Sequence, residues 1–407
     1  MKQAIKQIEG GVCAAKGYSA AGVNCGIRKN KLKKDLALIV SAAPAACACV
    51  YTQNLVQGAP IAVTKENVAN GFAQAIICNS GNANTCNSNG VEIAQKMCQL
   101  VGETLGISPS DVVVASTGVI GKPLSIEPIA SGIPVLAGLL ALDSNGAAEA
   151  IMTTDVKKKE IAVEFILGGT VCRMGGIAKG SGMIQPNMAT MLGFITTDAA
   201  ITPQMLQKAL SADVPESFNM VSIDGDTSTN DMVTVLANGL AGNPVIDSEG
   251  ADYDAFCAAL HKVTLYLTRA IAGDGEGATK LIVCSVSGAN DVASAKKLAK
   301  SVINSPLVKC AMFGADANWG RVLCALGYAG IPLDVHKIGV TFASVSGKVA
   351  VCENGAGLDF SEEQAKIVLK EAEIEILITL AEGGASATAY GCDLTYDYVK
   401  INGDYRT

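Results

Sequence analysis

One threonine in this sequence stands where the chain could build its own nucleophile. Residues 175–198 read Gly-Gly-Ile-Ala-Lys-Gly-Ser-Gly-Met-Ile-Gln-Pro-Asn-Met-Ala-Thr-Met-Leu-Gly-Phe-Ile-Thr-Thr-Asp. A glycine-rich loop carrying Lys179 leads to Pro186, and Ala189-Thr190 opens an apolar run, Met191 to Ile195, that reads as a buried strand. Thr190 would stand at the mouth of that strand, on a rigid support. A hydroxyl nucleophile needs a base, and the chain holds only two histidines, His261 and His336. The first reads as a helix-face residue between Leu260 and Lys262, the second as a surface residue in Asp334-Val-His-Lys337. No Gly-x-Ser-x-Gly elbow or His-Glu-x-x-His motif is present. A free α-amine, with an ordinary pKa near ~8, can activate the hydroxyl of its own residue. That amine exists at Thr190 only if the Ala189–Thr190 peptide bond is cut.

The elements that would position this chemistry alternate along the chain. Short β-like runs occupy Leu36 to Ser41, Cys47 to Thr52, Gln74 to Cys78 and Val112 to Ala115, each ending near Gly, Pro or Asn. Between them, Val91 to Leu105 places Ile93, Met97, Leu100 and Val101 on one helical face, and Ala255 to Ile271 does the same with Leu260, Val263, Leu267 and Ile271. Asp213 to Ser222 reads as a turn entering a strand, and Val322 to Leu326 as a helix opened around Trp319. Such alternation predicts a layered α/β or α+β protein. No fixed-period repeat, low-complexity linker or compositional domain boundary appears.

Composition narrows the function classes. Of 407 residues, 49% are hydrophobic and 17% charged, which supplies a core and argues against disorder. A net charge of −7 argues against a broad nucleic-acid surface. No run approaches the ~18 apolar residues needed to span a bilayer, and the first residues lead into no apolar leader segment. The expectation is a soluble cytoplasmic protein. Fourteen cysteines, mostly inside apolar runs such as Ala46-Cys-Ala-Cys-Val50, read as small buried hydrophobes of a reduced compartment. Asp224-Gly-Asp226 and Asp231 lack the closing glutamate of a calcium loop, and read as turn residues with no metal.

The segment Lys179 to Leu192 resembles the self-cleavage site of the ornithine acetyltransferase (glutamate N-acetyltransferase) family of arginine biosynthesis. Further blocks match in family order: Asn79-Ser-Gly-Asn-Ala-Asn84, Ser116-Thr-Gly-Val-Ile-Gly121, Met152-Thr-Thr-Asp155, Asp224-Gly-Asp-Thr-Ser-Thr-Asn-Asp231, Asp316-Ala-Asn-Trp-Gly-Arg321 and Tyr390 through Thr407. Two departures stand out. Thr85-Cys-Asn-Ser88 replaces the family's common Ala-Cys-Thr-Gly, and Val156 replaces a usual threonine.

The resemblance implies an α+β fold, a layered α/β sandwich of mixed sheets and helices. It also implies self-cleavage into two chains, residues 1–189 and 190–407. Thr190 would be the nucleophile that moves acetyl from N2-acetyl-L-ornithine to L-glutamate through an acetyl-threonine, and Ala189 and Thr190 would flank the cut. Thr117 and Gly118 would form the oxyanion hole, and Thr153, Lys179, Thr190, Glu276, Asn402 and Thr407 would bind substrate, with the C-terminal tail folding over the site. No cofactor is implied, and acetyl-CoA is left open as a co-substrate. The partners expected are these small molecules and a second copy of the cleaved pair, giving a heterotetramer of two α and two β chains, with no nucleic acid and no membrane. Two other readings stay open: a self-processing N-terminal-nucleophile aminopeptidase or amidase, and a non-catalytic binding protein of the same fold.

Overall fold

The computed structural model describes residues 5–185 and 191–404, and divides the chain into two compact units. The first comprises 1–180, 186–219 and 227–267; the second comprises 181–185, 220–226 and 268–407. They do not coincide with the two chains implied by cleavage, because the first unit takes residues from both sides of position 190.

The first unit is built on a nine-stranded mixed sheet. Its strands are β1 (Lys6–Ile8), β2 (Tyr18–Val23), β3 (Leu36–Tyr51), β4 (Phe72–Asn82), β5 (Val112–Val119), β6 (Lys159–Leu167), β7 (Thr170–Lys179), β8 (Leu192–Thr197) and β9 (Met232–Ala237). Their order is β1-β6-β7-β8-β9-β3-β4-β5, with β2 also paired to β3. Helices α1 (Ala59–Asn67), α2 (Gly90–Leu105), α3 (Glu127–Gly138), α4 (Asn145–Ile151) and α5 (Pro203–Asp213) accompany it, and α6 (Ala251–Ala272) runs out of it.

Alternate residues of β3 enter different apolar clusters. Leu36 and Leu38 pack with Met97 of α2 and Ile133 of α3, whereas Ala37 and Ile39 pack with Ala147 and Ile151 of α4. The sheet is therefore covered on both faces, as the period of two along a strand requires. α2 buries Ile93, Ala94, Met97, Cys98 and Val101, one face of a 3.6-residue helix. Gly176 on β7 lets α6 approach closely, because a Cβ there would lie 3.1 Å from both Val263 and Leu267.

The second unit carries a six-stranded sheet in the order β13-β12-β11-β14-β10-β15. The ranges are β10 (Leu281–Ala289), β11 (Gly339–Ser344), β12 (Gly347–Glu353), β13 (Ala356–Gly357), β14 (Glu373–Thr379) and β15 (Ala385–Cys392). α7 (Val292–Asn304), α8 (Pro306–Phe313), α9 (Trp319–Gly327), α10 (Glu362–Leu369) and α11 (Tyr396–Gly403) belong to it. α7 buries Ala295, Leu298, Ala299, Val302 and Ile303, and α9 starts at Trp319 itself. A Cβ on Gly357 would lie 2.6 Å from the Trp319 ring, so the only tryptophan is a packing element against β13.

The expected strand after Asp213 does not form. Val214–Glu216 and Phe218–Met220 are 3-10 turns, followed by a single bridge from Val221 to Tyr390. Pro215 starts this break, since it brings no N–H to a ladder.

Candidate functional site

Two polar clusters hold most of the residues singled out by sequence, one in each unit.

In the first unit, β4 and β5 run parallel through Gly81 opposite Gly118, and the register then breaks at Asn82, which faces both Thr117 and Val119. Gly81 and Gly118 take φ of +99° and +131° at this bulge. A Cβ on Gly118 would lie 2.4 Å from the Gly81 carbonyl carbon, so only glycine fits. Side chains fix the bulge from below: Ser116 Oγ donates to Asn79 Oδ1 at 2.5 Å, and Asn79 Nδ2 donates to the Asn82 carbonyl at 3.0 Å. Asn230 Nδ2 donates to the carbonyls of Ala83 and Ser116, while its Oδ1 accepts from Thr85 at 2.6 Å and Thr229 at 2.5 Å.

Lys179 ends β7 and reaches this bulge. Its Nζ lies 3.3 Å from Thr117 Oγ1, and both side chains are buried. Burial pushes the Lys179 ammonium below its ordinary value; Asp155 opposes this, and Lys159 adds to it. Asp155 organises the surroundings. Its Oδ1 accepts from Lys159 Nζ and the Gly180 N–H, each at 2.7 Å, and its Oδ2 accepts from the Thr153 N–H at 2.9 Å and Thr153 Oγ1 at 3.4 Å. Burial alone would raise the Asp155 carboxyl, yet the Lys159 and Lys179 ammoniums and the Gly180 N–H hold it far below the usual carboxylate range. Thr117, Gly118 and Lys179 thus come together, and Asp155 ties Thr153 and Gly180 into the same hydrogen-bond set.

In the second unit, Glu276 sits in the turn after α6. Its N–H donates to the Ser181 carbonyl at 2.9 Å, and a Cβ on Gly182 would lie 2.5 Å from its carboxylate. Asn402 of α11 donates Nδ2 to Glu276 Oε2 at 2.7 Å, so these two predicted residues meet. The Glu276 turn is pinned from both sides. Thr395 donates to the Gly277 carbonyl at 2.7 Å, and Asp393 accepts from the N–H groups of Thr279 and Lys280. Asp224 accepts from the N–H groups of Met183 and Ile184 and from Tyr398 Oη, the turn-holding role expected of it. Ala189, Thr190 and Thr407 lie outside the described residues.

Sequence reasoning missed Asp155 as an organiser, although it closes a quoted block, and missed Lys159. The run Lys157-Lys-Lys159 reads as a solvated face, and only the i,i+4 spacing of Asp155 and Lys159 hints at a pair. The roles of Asn230, Asp393 and Thr395 were likewise missed, because each reaches backbone groups distant in sequence. The histidines stay apart from both clusters. His261 bonds Asp213 at 2.7 Å, and His336 is exposed in a 3-10 turn.

Layered mixed sheets and helices, with a glycine bulge beside a buried lysine, fit the class of α+β acyltransferases. The ArgJ family model matches residues 19–407, and the chain belongs to that family. The arginine biosynthesis bifunctional protein ArgJ of Symbiobacterium thermophilum is 50% identical over 403 residues, covering 98% of this chain and 99% of that protein. Its counterpart from Clostridium acetobutylicum, ArgJ 1, is 50% identical over 392 residues, 96% of each. A crystal structure of the Bacillus halodurans protein of the same name superposes with a TM-score of 0.51 at 46% identity. That match covers 53% of this chain and 99% of the solved one.

Proposed function

We propose that this chain transfers acetyl from N2-acetyl-L-ornithine to L-glutamate in arginine biosynthesis, after cutting itself between Ala189 and Thr190. The observation that carries the reading is the Thr117–Gly118 bulge with Lys179 at 3.3 Å, within a chain whose relatives are named for arginine biosynthesis along its whole length. A solved ArgJ chain about half as long as this one, matched over 99% of its own length, supports division into two pieces.

In the precursor, the Thr190 hydroxyl attacks the Ala189 carbonyl carbon, the C–N bond breaks, and water opens the resulting ester. The new α-amine then serves as base. It takes the hydroxyl proton while the oxygen attacks the acetyl carbon of acetylornithine. The oxyanion accepts hydrogen bonds from the Gly118 N–H and the Thr117 hydroxyl. Ornithine leaves with the proton, and the glutamate amine attacks the acetyl ester to give N-acetylglutamate and restore Thr190. Thr153 and Lys179 are assigned to the substrate α-carboxylate end, a cation and a hydroxyl suiting an anion. Glu276, with Asn402, is assigned to the ornithine ammonium, and Thr407 to substrate binding. The threonine ester carries the acetyl group, so the reading assigns no resident cofactor or metal. The word "bifunctional" in the relatives' names supports a second activity in which acetyl-CoA acetylates glutamate. The pieces are read as a heterotetramer of two α and two β chains in the cytoplasm. Among the described residues, no helix is long and apolar enough to cross a membrane.

Thr190→Ala tests the reading. Denaturing electrophoresis should show two pieces for the unmodified chain and a single full-length chain for the variant. Ornithine release from N-acetylornithine should require glutamate and vanish in the variant. Release without glutamate would favour the amidase reading, and an uncut active chain would sink the self-cleavage step.

A further inference from the structure

The connection from β2 to β3 contains Arg28-Lys-Asn-Lys-Leu-Lys-Lys34, five cations in seven residues with no carboxylate among them, in a chain whose net charge is −7. Crowded like charges repel, and a bound polyanion relieves that repulsion. The loop is tied to the glycine bulge. Asp35 is buried, and its carboxylate accepts from the N–H groups of Cys25 at 2.7 Å, Gly26 at 3.3 Å and Arg28 at 3.0 Å. Its carbonyl accepts from the N–H of Ser80 at 2.9 Å, one residue before Gly81. A Cβ on Gly81 would lie 2.8 Å from Arg28 Cγ, and the Arg28 guanidinium donates to the Met152 carbonyl, next to Thr153. The basic surface therefore begins at the bulge and runs outward along the loop. Lys34 pairs with Glu149 of α4 at 2.9 Å, and Lys158 approaches the same carboxylate at 3.9 Å, which sets a second basic run, Lys157-Lys158, beside the first. Lys29, Lys31 and Lys33 are exposed and make no ion pair among the described residues.

We propose that this basic loop, with Lys157 and Lys158 beside it, binds the phosphate groups of acetyl-CoA. The proposal rests on the second activity proposed above, in which acetyl-CoA is the acetyl donor. N2-acetyl-L-ornithine carries one carboxylate and one ammonium, and both are already assigned partners, so exposed lysines outside the bulge have nothing to hold in that reaction. Acetyl-CoA is different. A long flexible pantetheine arm joins its thioester to a diphosphate and a ribose 3′-phosphate. The arm lets the phosphates rest on solvent-facing ammoniums while the thioester enters toward Gly118. Lysine suits such groups, as a compact charge with three rotatable donors. Leu32, 96% exposed between Lys31 and Lys33, adds apolar surface for the adenine ring.

The test compares the two acetyl donors on the same purified protein, with Lys29→Ala, Lys31→Ala and Lys33→Ala combined in one variant. These side chains are exposed, so their loss removes charge without opening the core. KM for acetyl-CoA in N-acetylglutamate formation should rise about tenfold as three exposed ion contacts are lost. Added salt should raise that KM in the unmodified chain and raise it less in the variant. Both kcat and KM with N-acetylornithine should stay unchanged, and calorimetry should show weaker binding of CoA to the variant. If the unmodified chain uses acetyl-CoA and the variant has the same KM, the phosphate site is overturned and the second activity stands. Equal losses with both donors overturn the site as well. If the unmodified chain neither uses acetyl-CoA nor binds CoA, the second activity falls and the site with it.

Discussion

At the scale of single residues, Asp155 carries more of the first cluster than any residue read from sequence. It joins a buried ammonium, the Gly180 backbone and Thr153 through one carboxylate. Replacing one partner of a buried ion pair strands the other charge, at a cost of about 3–5 kcal/mol. Asp155→Asn is therefore expected to lower stability by about that amount in urea denaturation. Asp155→Asn with Lys159→Met should recover more than half of the loss, and a double variant as weak as the sum of its singles would show the pair uncoupled. His261 gives a separate, pH-linked outcome. The Asp213 hydrogen bond raises its pKa, against burial, so its folded value lies above its unfolded one. Its contribution is complete below the ordinary histidine range and is lost as pH rises through the raised value. Melting curves from about pH 5 to pH 8 should show this decline, and His261→Gln should flatten it.

At the scale of elements, the register break between β4 and β5 decides what the Ser116-Thr-Gly118 turn can do. Gly118→Ala would force a Cβ to 2.4 Å from backbone at φ +131°, so the turn must move and its N–H with it. Loss of one oxyanion donor lowers kcat by roughly 10²–10³. That fall in kcat, with KM for acetylornithine little changed, is expected in steady-state kinetics; an unchanged kcat would remove Gly118 from the oxyanion role. The periodic elements were legible in the sequence. The helices read at Val91–Leu105 and Ala255–Ile271 form as α2 and α6, because an amphipathic face of five or more apolar residues is hard to bury any other way. The strands read at Leu36–Ser41 and Cys47–Thr52 are instead one strand. Pro44 falls inside it, where β3 shifts register between Val40 and Ala45, a place that needs no ladder N–H. Asp155, Asn230 and Asp393 were illegible for another reason. Much of what they hold is backbone N–H and C=O groups, which every residue offers and no sequence pattern marks, and most of their side-chain partners are distant in sequence or ordinary hydroxyls.

At the scale of the whole molecule, the proposed cut falls in the connection between β7 and β8. These strands pair antiparallel from Met174 opposite Thr197 to Lys179 opposite Leu192, and β8 also pairs with β9. Among the described residues, the ladder pairings of β7 and β8 lie to either side of that cut. The two pieces are expected to copurify through native chromatography and to part only in denaturant. Separation under native conditions would contradict this sheet order.

The interleaving of strands from both sides of position 190 also makes the molecule's history matter. The precursor folds as one chain, a first-order event whose rate ignores concentration. Once cut, the same sheet can be rebuilt only when two chains collide, so recovery from denaturant becomes second order and fails on dilution. Uncut Thr190→Ala chain should regain native signal at a rate independent of dilution, whereas cleaved protein should slow tenfold for each tenfold dilution. Cleavage would thus leave the native contacts in place while withdrawing the route by which they were first assembled.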